Sequence, residues 1–309
     1  MRDSEGQRQG GQSVKQNTRD DAPVSARAGV WSMVAACVVW GLSPLFYKAL
    51  SHVPPVEILA HRTLWSLLLF VLILWGQGRR GEIVALIGRS RRNLALILAA
   101  AALITVNWGM FIYAVQAGEV VQSSLGYYIF PLVSVAMGAA IFQERLNFRR
   151  KFAVALATAG VVILIVGLGE MPTIALVLAL TFGTYGVVKR LLGTGPLVSV
   201  AAEVLILAPL ALGWLVFATP GLGGFQGWTA FGLMAAGPMT AIPLMLFSRA
   251  AKALPMATVG LIQYLNPTLQ FLCGVVIFGE AFSMLHAITF AIIWTALGVY
   301  SLGAARKSA

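Results

Sequence analysis

The sequence predicts an all-α integral membrane protein of ten transmembrane helices, arranged as two inverted five-helix repeats with both termini cytoplasmic. Three observations predict it. Hydrophobic residues fill 59% of the 309 positions and charged residues only 11%, against about 25% charge in soluble chains. The charges cluster between apolar runs long enough to cross a hydrocarbon core of roughly 30 Å at ~1.5 Å per residue. The two halves of the chain also resemble each other.

In chain order, residues 1–27 are polar, with five basic and four acidic side chains, and are expected to form a disordered cytoplasmic tail. Apolar runs then place helices at about 28–48, 55–76, 93–116, 121–142 and 152–168, the first repeat (28–168). Further runs at 172–192, 197–218, 228–249, 257–278 and 286–304 fill the second repeat (169–309). In lipid each backbone group must be satisfied within its own segment, which makes these runs helices. They are continuous and do not alternate, unlike barrel strands.

Positive charge orients the spans. The tail carries five Lys and Arg, the 77–92 loop five and the 143–151 loop four. Lys189 with Arg190, Arg249 with Lys252, and Arg306 with Lys307 complete twenty of the 22 on one side of a ten-span layout. Positive charge marks the cytoplasm. The net charge of +11 therefore reports topology, and no nucleic-acid partner is expected.

A shift of 136 positions aligns Phe111 with Phe247, Tyr128 with Tyr264, Pro131 with Pro267, Phe142 with Phe278 and Glu144 with Glu280. A shift of 142 aligns Gly41 with Gly183, Lys48 with Arg190 and His61 with Glu203. A unit of five helices is odd, so its second copy enters the bilayer inverted. Inverted repeats build many secondary transporters, with the solute held near the midplane between copies.

The chain resembles the EamA family of the drug/metabolite transporter superfamily, and within it the RarD group. The resemblance is carried by VVWGLSPLFYK at 38–48, PVEILAHRTLWS at 55–66, NWGMFIYAV at 107–115, SLGYYIFPL at 124–132, FGTYGVVKR at 182–190, QYLNPTL at 263–269 and FAIIWTALG at 290–298. It implies ten helices, multi-pass residence in the bacterial inner membrane and carrier activity, with efflux as the expected direction. One departure stands out: Phe130 occupies the position where the family pattern has Asn, although the equivalent Asn266 is retained.

Ionisable groups inside a bilayer cost about 2.5–3.5 kcal/mol each on insertion scales. The second span holds Glu57, His61 and Arg62, and the seventh holds Glu203. Arg62 lies about 10 Å from the outer end of its span and Glu203 about 9 Å from the inner end of its own. They are therefore expected as pseudo-symmetric partners in opposite leaflets rather than as a direct ion pair. His61, Glu57 and Glu203 are the candidates for proton coupling, and Glu57 is read as interfacial.

A polar and aromatic cluster comprises Trp40, Tyr47, Asn107, Trp108, Ser124 and Tyr127, with Tyr128, Tyr185, Gln263, Tyr264 and Asn266. Pro131 and Pro267 displace the carbonyls of Tyr127 and Gln263, which suits a wet cavity binding an amphipathic solute. Aromatic belts at the membrane surface are the competing reading for single members. Lys48 and Arg190 are read as helix-end anchors, and Glu144 and Glu280 as braces at the ends of the fourth and ninth spans.

The sequence has no HExxH, no Gly-x-Ser-x-Gly and no Walker phosphate loop, so neither enzymatic chemistry nor ATP drive is expected. Cys37 and Cys273 lie inside apolar spans without metal-ligand spacing, and no metal or cofactor is expected. The expected partners are a small-molecule solute and the lipid bilayer, with the chain a monomer or homodimer. A channel, or an assembly or receptor protein without carrier activity, is the alternative.

Overall fold

The computed structural model describes residues 25–79, 81–143, 147–218 and 226–305. The sequence reading of the tail up to residue 24, and that of Glu144, lie outside these residues. No strand occurs among the described residues.

Helix α1 (Ala26–Gly41) begins at Ser25, whose side chain accepts from the Ala28 N–H, and continues after a kink at Leu42 into α2 (Ser43–Ala49). Pro44 lies just past the kink, at a position where its missing N–H costs no helical bond. Helix α3 (Pro55–Gly76) opens on a proline. A short helix, α4 (Glu82–Gly88), occupies the stretch expected as a loop. Ser90 caps α5 (Arg91–Ala117), which ends at Gly118 with φ 77°. Next come α6 (Val120–Phe142), α7 (Phe148–Leu168), α8 (Thr173–Leu192), α9 (Pro196–Phe217) and α10 (Gly227–Ala253). The next span is broken: α11 (Met256–Gln263), α12 (Leu265–Leu272) and a π-helical turn at Cys273–Ile277. Helix α13 (Met284–Ala305) follows.

Among the described residues, nine helical stretches are long and apolar enough to cross a membrane, and α13 contains a shorter apolar stretch, Met284–Tyr300. Their large exposed side chains include Trp31, Leu72, Val166 and Leu210, as expected for a surface solvated by lipid. The protein is an all-α integral membrane protein. The break at Tyr264 precedes Pro267 by three residues, where proline removes a helical bond; the aligned Pro131 lies inside an unbroken α6.

Contacts between the two halves come in exchanged pairs. A Cβ on Gly41 would meet the Leu269 Cβ at 2.7 Å, and one on Gly183 would meet the Val133 Cγ1 at 2.7 Å. Gly41 aligns with Gly183 and Val133 with Leu269 under the two shifts. Lys48 lies 5.8 Å from the Phe278 ring, while Arg190 lies 4.3 Å from the aligned Phe142 ring. Tyr128 stacks on its own counterpart, Tyr264, with centroids 6.4 Å apart. Small residues at these crossings let the backbones approach closely, which is how helices associate within lipid.

Glu280 braces the end of its span against a neighbouring helix. Its two carboxylate oxygens accept the backbone N–H groups of Val120 and Val121 at 2.8 and 2.7 Å, tying the second half to the first turn of α6. A carboxylate at this position satisfies two orphan donors and complements the helix dipole.

Candidate functional site: a central cavity

A cavity of about 490 Å³ lies among α1, α2, α3, α5, α6, α8, α9, α10, α11 and α12, and reaches the α8–α9 turn at Thr194 and at Pro196, the first residue of α9. Its wall is built on a chain of aromatic contacts. The Tyr47 ring meets Phe111, Phe111 meets Tyr127, Tyr127 meets Phe182 and Phe182 stacks on Tyr185, all at centroid distances of 5.8–5.9 Å. Asn107 fixes the middle of this chain. Its Oδ1 accepts from the Tyr127 hydroxyl at 3.0 Å, and its Nδ2 donates to the Thr181 hydroxyl and the Leu178 carbonyl.

A cation lies at each end of the aromatic chain. At one end, the Arg62 guanidinium is 4.0 Å from the Trp108 ring centroid and 5.9 Å from that of Tyr47. Its Nε donates to the Thr240 Oγ1 at 2.7 Å. Arg62 is 5% exposed, so it is held inside the bundle and does not reach for the membrane surface. At the other end, Lys189 lies 5.1 Å from the Tyr185 ring. It pairs with Glu203 at 2.5 Å and donates to the Ser199 hydroxyl. The Tyr185 hydroxyl donates to the second Glu203 oxygen at 2.9 Å.

The broken span contributes amides. Gln263, Asn266 and Gln270 line the cavity. The Gln270 Nε2 donates to the Asn266 Oδ1 at 3.0 Å, leaving its buried Oε1 without a partner among the described residues.

Residues 27–166 match the model of the EamA-like transporter family. Protein RarD of Streptomyces exfoliatus is 42% identical, the match covering 91% of this chain and 90% of that protein. The uncharacterized transporter YojE of Bacillus subtilis is 38% identical over 89% and 94% of the two chains. The chain belongs to the EamA-like transporter family. It groups there with the RarD proteins, as a multi-pass membrane transporter of the drug/metabolite superfamily. A solved crystal structure with a TM-score of 0.61 and 21% identity covers 90% of this transporter and 98% of that chain, and is alike in fold.

Of the transporter's sequence-predicted site residues, the cavity brings together Arg62, Asn107, Trp108, Tyr127, Tyr185, Gln263 and Asn266, and with them Trp40 and Tyr47. Glu203 reaches it through Lys189 and Tyr185. Tyr128 and Tyr264 stand elsewhere, in a cluster with Phe290 and Trp294, where the Tyr128 hydroxyl lies 2.6 Å from the Thr268 hydroxyl. Ser124 turns back to its own helix, donating to the Val121 carbonyl. His61 and Glu57 are buried on α3, at 6% and 3% exposure, away from the cavity lining. Glu57, in the first turn of α3, is enclosed by protein. Arg62 and Glu203 make no direct pair.

Sequence reasoning missed Lys189, Gln270, Thr240 and Phe182. The sequence reading takes Lys189, together with Arg190, only as a charge that marks the cytoplasmic side. Gln270 had a readable signal, since positions 263, 266 and 270 share one helical face.

Proposed function

We propose that this transporter is a secondary carrier of ten membrane crossings in two inverted five-helix halves, with both termini in the cytoplasm. It moves small organic metabolites or drugs outward across the bacterial inner membrane by alternating access. The observation that carries this reading is a polar-centred cavity lined by both halves, beside contacts that exchange between the halves. Two halves that make equivalent contacts have two equivalent ways to pack, and switching between them would expose one cavity to each side in turn. The charge asymmetry of the loops supports the orientation. With that orientation, the cavity of the present conformation reaches the cytoplasmic α8–α9 turn, while Glu280 holds the opposite end closed.

Binding is assigned to Arg62, Trp108, Tyr127, Tyr185, Gln263 and Asn266, with Asn107 orienting Tyr127. Proton coupling is assigned to Glu203, which touches a cavity cation, in preference to His61 and Glu57. A pH gradient that neither drives nor responds to uptake would remove this coupling and leave the carrier standing.

Alternating access is testable without a known solute. Cys37 and Cys273 are the two cysteines of the chain, and a Cys37→Ala, Cys273→Ala background with Ser134→Cys places one thiol on the cavity wall. An impermeant maleimide is expected to label it from either face of sealed vesicles, with no ion conductance in planar bilayers. Labelling from one face alone overturns the carrier, and labelling accompanied by conductance indicates a channel.

A further inference from the structure

We propose that the solute is an organic monoanion, a carboxylate borne on an aromatic or similarly flat apolar body, and that its carboxylate docks on Arg62. This rests on the carrier reading and names the solute class.

The inference starts from charge balance. Among the described residues there are two ion pairs, Arg79–Glu82 and Lys189–Glu203. Arg62 takes part in neither, although it is buried and lines the cavity. The carboxylates that could neutralise it are committed elsewhere. Glu203 is held by Lys189 and Tyr185, and Glu280 by the α6 amides. Glu57 precedes Arg62 by five residues, about 140° round the helix. Arg62 thus places a guanidinium charge in a region where an unpaired charge is costly.

Geometry prepares that charge for a carboxylate. The Nε is spent on Thr240, and the Trp108 ring covers one face of the guanidinium. Both terminal nitrogens are left with no hydrogen bond to a described residue, side by side in one plane. That edge matches the two oxygens of a carboxylate, the bidentate arrangement for which arginine is suited and lysine is not. The aromatic chain leading away from Tyr47 gives a flat apolar body rings to stack on.

The number of charges follows as well. Lys189 is already neutralised by Glu203, so the cavity carries one net positive charge. A monoanion balances it, a neutral solute leaves it unbalanced, and a dianion overshoots.

The test compares 4-phenylbutanoate with its neutral isostere 4-phenylbutanamide, binding to the full-length protein in lipid nanodiscs, followed by intrinsic tryptophan fluorescence. The anion is expected to bind at least about tenfold more tightly than the amide. In Arg62→Gln, which keeps a donor for Thr240, the ratio is expected to fall below about threefold. In Arg62→Lys, which keeps the charge without the fork, an intermediate ratio is expected. Equal affinities in the parent, a preference that survives Arg62→Gln, or binding of neither probe overturns the proposal. Equal affinities would leave the carrier reading intact, because two-sided labelling of Ser134→Cys is independent of charge. One-sided labelling combined with a preference that depends on Arg62 would sink the carrier and leave the anion site.

Discussion

Arg62 and Lys189 are both cations against aromatic rings on the wall of one cavity, yet they are stabilised in opposite ways. Lys189 has a carboxylate, a hydroxyl and a ring around it. Arg62 has two rings and a hydroxyl but no carboxylate among the described residues. The difference teaches that burial of charge has two solutions here. Lys189 is completed from within the chain, whereas Arg62 is held ready and completed only when something enters.

The strongest way to break this comparison is to strand the completed cation. Glu203→Leu leaves Lys189 buried and alone, and is expected to destabilise the protein by about 3–5 kcal/mol. Thermal unfolding in nanodiscs measures it. Adding Lys189→Met should restore most of the loss, because replacing both partners removes the uncompensated charge. If Glu203→Leu alone unfolds at the parental temperature, the pair is not what holds α8 to α9.

Arg62→Gln sharpens the comparison from the other side. Cation–π contact is worth about 2 kcal/mol when desolvated, and the variant also removes an unpaired buried charge, so the two effects offset. Stability is expected to stay within about 1 kcal/mol of the parent in the same assay. A loss as large as that of Glu203→Leu would make Arg62 a structural group and erase the contrast.

The exposed pair Arg79–Glu82 sets the baseline, with side chains 40% and 46% exposed. The Arg79 guanidinium hydrogen-bonded to Glu82 holds its carboxyl below the usual carboxylate range. A lowered carboxylate contributes its stability above its unfolded pKa and loses it as pH falls through the folded one. Glu82→Gln should therefore cost under about 1 kcal/mol at neutral pH and nothing once the carboxyl is protonated. Unfolding midpoints at pH 7 and pH 3 check this.

The spans were legible because lipid imposes length and apolarity together, so α3, α5 and α9 lie within a few residues of their expected limits. The fate of neighbours on one helix was not. Tyr127 enters the cavity while Tyr128 packs against α13, and Lys189 pairs inward while Arg190 lies on Phe142. Adjacent residues stand about 100° apart on a helix. Spans that are apolar all round carry no stripe to say which direction faces the centre. The Lys189–Glu203 pair also spans the turn between α8 and α9, so its formation depends on the packing of two helices. Asn107, Gln263 and Asn266 were legible because an uncharged amide in an apolar span has few places to be satisfied other than the interior.

The Glu280 clasp has a consequence for movement. The two amide hydrogens it holds have no helical acceptor of their own, so parting α6 from the residues after the π-helical turn requires water to reach both amides and the carboxylate at once. Separation at that end is therefore a wetting event as much as a tilting one. Excluded osmolytes, which oppose the hydration of newly bared surface, would weigh against it even where they never touch the solute.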